Sequence, residues 1–389
     1  MSVTARFIRS VKDVPADRWN EVAGNEYPFH RHEFLSALED SNCVGERSGW
    51  NPFHLLLEDQ SEEDGNELLA ILPLYQKTNS EGEFVFDFAW ARAYQQAGLS
   101  YFPKLVAGVP FTPATSNCCL IAPGQDAATL GAQLLKVTTD LMAEHEISSL
   151  HCLFPTEDEQ ALFGELGLLQ RHDVQFHWHN DSYSDFDDFL SRFKSKKRKQ
   201  TKRERRKVAE AGVYYEHLSG SDMTDALWDE IEPLYSSTFM VRGRPPYINA
   251  EFFKQLSRTL PDAIVVIVGR KDERAVATAV CFRNADTLYG RYWGALERYD
   301  SLHFETCYYQ GIDYCIAEGL QHFEPGTQGE HKLARGFIPE ITHSAHWVSD
   351  SRFRDAIAEY LRAEGRQVDD YVAMLEDHTP YKQADSDPS

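Results

Sequence analysis

The chain has 389 residues, 42 % hydrophobic and 12 % aromatic, which is ample for two or three packed domains and excludes a mostly disordered polymer. Its 39 basic and 61 acidic residues leave a net charge of −22, which argues against a generally basic nucleic-acid-binding surface, a DNA partner or adhesion to an anionic membrane. No apolar run approaches the ~20 residues that span a bilayer, and the start MSVTARFIRSVKDVP has no secretory signal core, so a cytoplasmic protein without membrane insertion is expected.

The seven cysteines (Cys43, Cys118, Cys119, Cys152, Cys281, Cys307, Cys315) are odd in number and form no C-x-x-C, so neither a disulfide framework nor a zinc cage is expected. His30/His32 and His177/His179 form H-x-H pairs, but neither has a third ligand at a recognisable spacing, and no metal is expected.

In chain order, the first half begins with a strand near Ala5–Val11, a helix opened by Pro15 and running through Trp19, and a helix over His32–Leu38. Strands follow at Phe53–Leu57, Leu68–Tyr75 and Phe84–Phe88. After a stretch punctuated by Gly108, Pro110 and Pro113 come helix Ala127–His145, strand Ser149–Phe154, helix Glu157–Leu166 and strand Val174–Trp178. The second half repeats this order: strand Val213–His217, helices Thr224–Met240 and Ala250–Leu260, a hairpin of Ala263–Gly269 and Ala275–Arg283, strand Thr287–Trp293, helix His303–Glu318, and strands Leu320–Glu324 and Ile341–Val348. Pro28, Phe29, Glu33, Phe34, Leu35 and Leu38 match Pro246, Tyr247, Glu251, Phe252, Phe253 and Leu256 at one offset of 218, as a duplication would leave.

Between the halves, one continuous helix is expected over Asp185–Ala211, about 40 Å long at 1.5 Å per residue. Arg192–Lys207 holds eleven of the 39 bases and one acid, Glu204, so a +10 block stands beside a −32 remainder. That helix either lies against the protein's own acidic surface or serves as a phosphate-binding arm through Lys197, Arg198 and Arg205. A long amphipathic helix over Phe353–Leu375 precedes a polar tail expected to be disordered.

The polar and aromatic residues that carry chemistry concentrate between Tyr289 and Trp347. On the Tyr289–Gly294 strand, Tyr289, Arg291 and Trp293 share one face and Tyr292 takes the other. Leu302–Gln310 opens a helix directly after a strand, where free N–H groups suit a pyrophosphate or an oxyanion. This segment carries His303, Gln310 and Glu305, with Tyr308 and Tyr309 on the Glu305 side. Gly326–Gly336 carries Gln328, Glu330, His331, Lys332 and Arg335, more functional groups than a turn requires. Arg242 and Arg244 stand in an interhelical loop where they could pin a carboxylate or phosphate. His343 and His346 flank Ser344. No nucleophile elbow, Walker A loop, dinucleotide fingerprint or kinase set is present.

The doubled β-α-α-β-β-β-α-β-α-β order resembles the GNAT acyltransferase fold. The basic helix leading into Gly212-Val213 resembles FemAB-like aminoacyl/acyltransferases. LYGRYWG (Leu288–Gly294), LHFETCYYQGIDYCI (Leu302–Ile316), GTQGEHKLARGF (Gly326–Phe337) and SAHW (Ser344–Trp347) resemble a bacterial family described as predicted N-acyltransferases or peptidoglycan biosynthesis/recognition proteins. The resemblance implies an α/β fold with mixed sheets in tandem GNAT-like domains: 1–180, a basic connecting helix 181–212, 213–376 with the candidate site, and a tail 377–389. It also implies acyl-CoA or aminoacyl-tRNA as co-substrate, with no bound cofactor. Gly294–Leu302 lacks the glycine pattern of a GNAT pyrophosphate loop, which favours a donor other than coenzyme A.

The leading reading is an N-acyltransferase acting on a small-molecule or peptidyl amine, with a cell-wall precursor as one candidate acceptor. Glu305 or His331 would accept the proton, Tyr309 would donate one, and Glu330 is a further catalytic candidate. Arg291, Tyr292, Trp293, His303, Gln310, Gln328, Lys332, Arg335, Arg242 and Arg244 would bind substrate. The alternative is a non-catalytic GNAT-like binder of peptidoglycan precursor, tRNA or a protein. The oligomeric state is not legible.

Overall fold

The computed structural model describes residues 3–60, 67–327, 329–376 and 378–382. Its first half forms, in order, β1 (Val3–Ile8), α1 (Ala16–Ala23), α2 (His32–Asp40), β2 (Trp50–Pro52), β3 (His54–Asp59), β4 (Glu67–Leu72), β5 (Leu74–Lys77), α3 (Phe88–Gln96), β6 (Lys104–Ala107), β7 (Leu120–Ile121), α4 (Ala127–Glu144), β8 (Ser149–Leu153), α5 (Glu157–Glu165) and β9 (Leu169–His179). Helices α6 (Phe186–Ser191) and α7 (Ser195–Glu210) lead into β10 (Tyr214–Ser219), α8 (Asp225–Met240), α9 (Ala250–Thr259), β11 (Ile264–Lys271), β12 (Arg274–Arg283) and β13 (Thr287–Ala295). The chain then forms α10 (Leu302–Phe304), α11 (Gln310–Glu318), β14 (His322–Glu324), β15 (Ile338–Val348) and α12 (Ser351–Glu376). A π-helical turn, Glu305–Tyr309, joins α10 to α11, and a 3-10 helix, Glu330–Arg335, precedes β15. The fold is therefore mixed α/β and GNAT-like, both halves opening strand–helix–helix before their antiparallel strands while the first half adds α3 and further short strands; α2 and α9 begin at His32 and Ala250, the 218-residue offset of the sequence match.

The described residues pack as two units: those up to Asp173 with Ile341–Asp369, and Val174–Glu340 with those from Asp370 onward. This division departs from the sequence-based boundaries at 180 and 212 because the halves exchange their last strands. Strand β9 of the first half pairs with β14, Trp178 and His179 standing opposite Phe323 and His322. Strand β15 of the second half pairs with β8, Ser344–Val348 running against Leu153–Ser149.

The first unit holds a sheet ordered β1-β3-β4-β7 and strands ordered β15-β8-β6-β5-β2. Leu55, Leu69, Leu74, Leu105, Leu150 and Ala345 form its core with Leu130, Leu134 and Leu135, the apolar stripe of α4. Alternation puts Lys77, Lys104, His151 and His346 on the opposite face of β5-β6-β8-β15. There Lys104 Nζ donates to Glu83 Oε2 at 2.7 Å and to Asp87, whose carboxyl the Lys104 charge helps hold down to about 2 although burial opposes this. The Tyr101 hydroxyl donates to Asp87 at 2.6 Å, and His151 and His346 meet Nδ1 to Nδ1 at 2.6 Å.

In the second unit, strands run in the order β10-β11-β12-β13-β14-β9. Val265, Ile267, Ala279 and Cys281 face Tyr308, Ile312 and Cys315. The alternate residue Phe282 faces Phe253 of α9, and Tyr292 lies between Tyr235 and Phe253. Gly294 lies so near α8 that a Cβ would fall 1.8 Å from the Leu234 carbonyl oxygen. Backbone bounds both sides, so Gly294→Ala is expected to cost about 3 kcal/mol. Thermal unfolding should show the second unit melting roughly 6–12 °C lower; an unchanged midpoint would mean the strand can shift.

Three local expectations are corrected. Residues 84–88 are not a strand: Phe84 has φ of 59° and α3 begins at Phe88, because Glu83 and Asp87 are drawn to the buried Lys104. The helix expected over 185–211 breaks at 192–194, where Phe193 turns inward against Tyr381 and Lys194 N–H donates to the Pro380 carbonyl. The same contacts tie down residues 378–382 of the tail; its residues 377 and 383–389 lie outside the described residues.

Candidate active site

Strand β13 stays paired with β12 to Ala295, but with β14 only over Thr287–Tyr289 against His322–Glu324. Where that parallel pairing ends, three chain segments meet. Trp293 of β13 lies over His303 (ring centroids 4.4 Å apart), and His303 lies 5.3 Å from Tyr308 and 5.8 Å from His331. The Tyr308 hydroxyl and His331 Nε2 are 2.8 Å apart. Burial lowers the pKa of His303 to about 4 and also lowers that of His331, so both imidazoles are neutral at pH 7 and can take a proton. Lys332 is buried beside them with Nζ donating to the Gly326 carbonyl, and burial lowers its ammonium to about 7.

Helix α7 docks through Glu204, the one of its two acids that is buried. Thr201, Glu204 and Val208 form its buried face. Glu204 accepts from the Tyr309 hydroxyl at 2.5 Å and from Arg335 at 3.1 and 3.2 Å. The Arg335 guanidinium lies 3.3 Å above the Phe304 ring. Tyr309 and Arg335 are thus engaged in holding α7 against the α10–α11 segment.

Glu305 opens the π turn, a feature frequent at functional sites. Its side chain is 5 % exposed. Oε1 accepts from Gln310 at 2.7 Å and from Arg205 Nε at 3.2 Å, whereas Oε2 has no hydrogen-bond partner among the described residues. Burial raises its pKa although Arg205 opposes the shift. Arg205 also donates to Asp313 at 2.5 Å and lies over Phe186 at 4.2 Å. Gln310 in turn meets His217 at 2.9 Å. Glu305, Gln310, Arg205, Val208, Val213 and Tyr215 line a cavity of about 320 Å³. A second cavity of about 540 Å³, lined by Asp185, Asp187, Lys202 and Asp313, shares Arg205 with it.

The residues singled out in the sequence divide accordingly. Trp293, His303, His331 and Lys332 gather at the parted strands; Glu305, Gln310 and Arg205 gather at the cavity; Tyr309 and Arg335 join through Glu204. Arg291 bonds the Gly290 carbonyl beside Glu324, whose carboxyl burial raises to about 7. Glu330 accepts from Tyr371 of α12. Tyr292 belongs to the core, Arg242 and Arg244 to the α8–α9 loop, and Lys197 and Arg198 to the first turn of α7, half-buried. His343 and His346 fall in the first unit, and Gln328 lies outside the described residues. Glu204, Phe304 and Asp313 were not anticipated. The i, i+3, i+7 spacing of Thr201, Glu204 and Val208 was the available signal for the first of them.

All seven cysteines are free, and no group of three His, Cys, Asp or Glu that could hold a metal occurs among the described residues. No described helix is long and apolar enough to cross a membrane.

A doubled mixed-sheet fold with a polar site beside parted strands defines the class of protein, and comparison places the chain within it. Residues 10–383 match the FemAB-like family described as peptidoglycan biosynthesis/recognition, and the chain belongs to that family. No curated protein matches it. Among solved structures it is similar to FemX, at 9 % identity and a TM-score of 0.50 over 92 % of this chain and 100 % of that one. It is also similar to the C-terminal domain of a putative lysylphosphatidylglycerol synthetase from Agrobacterium fabrum, at 10 % identity and a TM-score of 0.53 over 89 % and 96 % of the two chains. A third is L-PGS from Bacillus licheniformis, at 10 % identity and a TM-score of 0.51 over 87 % and 98 %. At these identities the likeness is one of fold.

Proposed function

We propose that the protein is an N-acyltransferase, most naturally an aminoacyltransferase, whose second unit joins an activated acyl ester to an amine. The observation that carries this reading is a buried Glu305, with one carboxylate oxygen unpartnered among the described residues, among the residues that line a cavity. A neutral primary amine would supply the missing N–H donor, and a carboxylate of raised pKa is a better proton acceptor than an ordinary one. The amine nitrogen forms the new C–N bond, its surplus proton passes to Glu305, and the ester C–O bond breaks. The leaving oxygen then takes that proton from Glu305, which returns to its carboxylate form. Holding both partners in place accounts for much of the rate.

The donor reading rests on charge. Residues 295–301, where a GNAT protein would cradle a pyrophosphate, contain no glycine and carry Glu297 and Asp300. Helix α7 instead presents Lys196, Lys197, Arg198, Lys199 and Arg203, none in an ion pair among the described residues, while Lys202, Arg206 and Lys207 are paired with Asp187, Glu210 and Asp300. An RNA-linked aminoacyl ester suits this helix better than coenzyme A. The test is binding of aminoacyl-tRNA against salt, with transfer to a primary amine followed by label. Lys197→Ala with Arg198→Ala should weaken binding and flatten the salt slope by about one unit per lost phosphate contact. Binding by acetyl-CoA alone would replace the donor. Binding of amines or precursors without turnover would leave the non-catalytic reading.

A further inference from the structure

Two neighbouring loops of the second unit expose apolar side chains. Met240 and Val241, at the end of α8, are 64 and 90 % exposed, and Leu296, directly after β13, is 65 % exposed. Hydrogen bonds join the two ends: Ser237 Oγ donates to the Ala295 carbonyl at 3.2 Å and Thr238 Oγ1 to the Trp293 carbonyl at 2.7 Å. Met240 and Val241 follow Ser237 by three and four positions and share its side of the helix. The three apolar side chains therefore project from one edge.

The charge there is opposite to that of the whole chain. Met240–Asn249 contains Arg242 and Arg244 and no acid, and Arg298 follows Leu296 by two. None of these guanidiniums is in an ion pair among the described residues; Arg244 lies over Tyr247, and the nearby acids Glu297 and Asp300 are already paired with Arg274 and Lys207. We propose that this edge docks on an anionic lipid surface, Met240, Val241 and Leu296 entering the headgroup layer while Arg242, Arg244 and Arg298 meet lipid phosphates. The net charge of −22 does not forbid it. Charges are screened over about 8 Å at physiological ionic strength, so the bilayer feels mainly the edge that touches it. A protein partner fits less well, because a stable interface needs about 800 Å² of complementary surface per side, and three projecting tips do not offer that. Trp293, bonded to α8 at this edge, lies over His303, so a lipid-borne substrate would arrive next to the candidate site.

The test is co-sedimentation of the full chain with vesicles of phosphatidylcholine alone and of phosphatidylcholine mixed with phosphatidylglycerol. Binding should require phosphatidylglycerol and weaken with salt. Met240→Ser, Val241→Ser and Leu296→Ser together should weaken it at least about tenfold with an unchanged melting temperature, since these side chains are exposed. Arg242→Gln, Arg244→Gln and Arg298→Gln together should remove the dependence on phosphatidylglycerol. No vesicle binding, or binding undiminished in the serine variant, overturns the proposal. Self-association that the serine variant abolishes would assign the edge to a second copy and overturn it as well. The readout needs no turnover, so it stands or falls apart from the transferase reading.

Discussion

Glu305→Gln is expected to lower amine acylation at least about 100-fold, the usual contribution of a general base, while the second unit melts within a few degrees of wild type. Glutamine still offers an oxygen to Gln310 and Arg205, and Arg205 keeps Asp313. It loses the charge that pairs with Arg205 but also the cost of burying a carboxylate, and because Asp313 still pairs with Arg205 no charge is left buried without a partner. What it cannot do is accept a proton. The pH profile gives an independent reading. The base works deprotonated, and burial raises the Glu305 pKa. The acid limb of kcat/KM should therefore lie above the ordinary carboxylate range of about 4.3, with activity lost as pH falls through it. Arg205 opposes the shift, so Arg205→Met should move the limb higher still. Full activity in Glu305→Gln would leave the cavity without its assigned chemistry and shift attention to His331, neutral at pH 7 and bonded to Tyr308.

The largest expected effect on stability belongs to Glu204→Ala. This carboxylate is the only acid among the bases of Arg192–Lys207, and it holds Tyr309, Arg335 and Gln200. Its removal leaves Arg335 buried over Phe304 without a counter-charge, a situation that costs about 3–5 kcal/mol. The transition of the second unit should fall by roughly 6–20 °C in calorimetry, with the first unit's transition in place. Glu204→Gln, which keeps hydrogen-bonding capacity, should lie between. A midpoint unmoved by Glu204→Ala would show that apolar contacts at Val208 suffice to seat α7.

What could be read from the sequence follows from how local each cause is. The hairpin over 264–283 and the amphipathic α4 and α9 are written in the spacing of their own apolar residues. The gathering of Trp293, His303 and His331 was foreshadowed by dense polar and aromatic strings. The expectation failed at Phe84–Phe88, where a strand was expected but Lys104, 21 residues after Glu83 and 17 after Asp87, claims both carboxylates. It failed at Phe193, whose partner Tyr381 lies almost at the other end. The basic helix left two readings open, a helix lying on the protein's own acidic surface or a phosphate-binding arm, because eleven bases hid one buried carboxylate. Its role rests on Arg335 and Tyr309, which no local pattern connects to it.

The exchange of β9 and β15 sets a condition on synthesis. While the chain emerges from the ribosome, the first half has β8 but not the strand that lies beside it, because Ser344–Val348 comes near the end. Its sheet edge stays open, with backbone groups unpaired and Leu150 and Cys152 incompletely covered, until nearly the whole polypeptide exists. A chain cut between the halves would free two fragments, each missing one strand and carrying a surplus one. Such fragments should recover the native pairing only by finding each other, so separate expression of the halves would give aggregates, and co-expression a reconstituted protein.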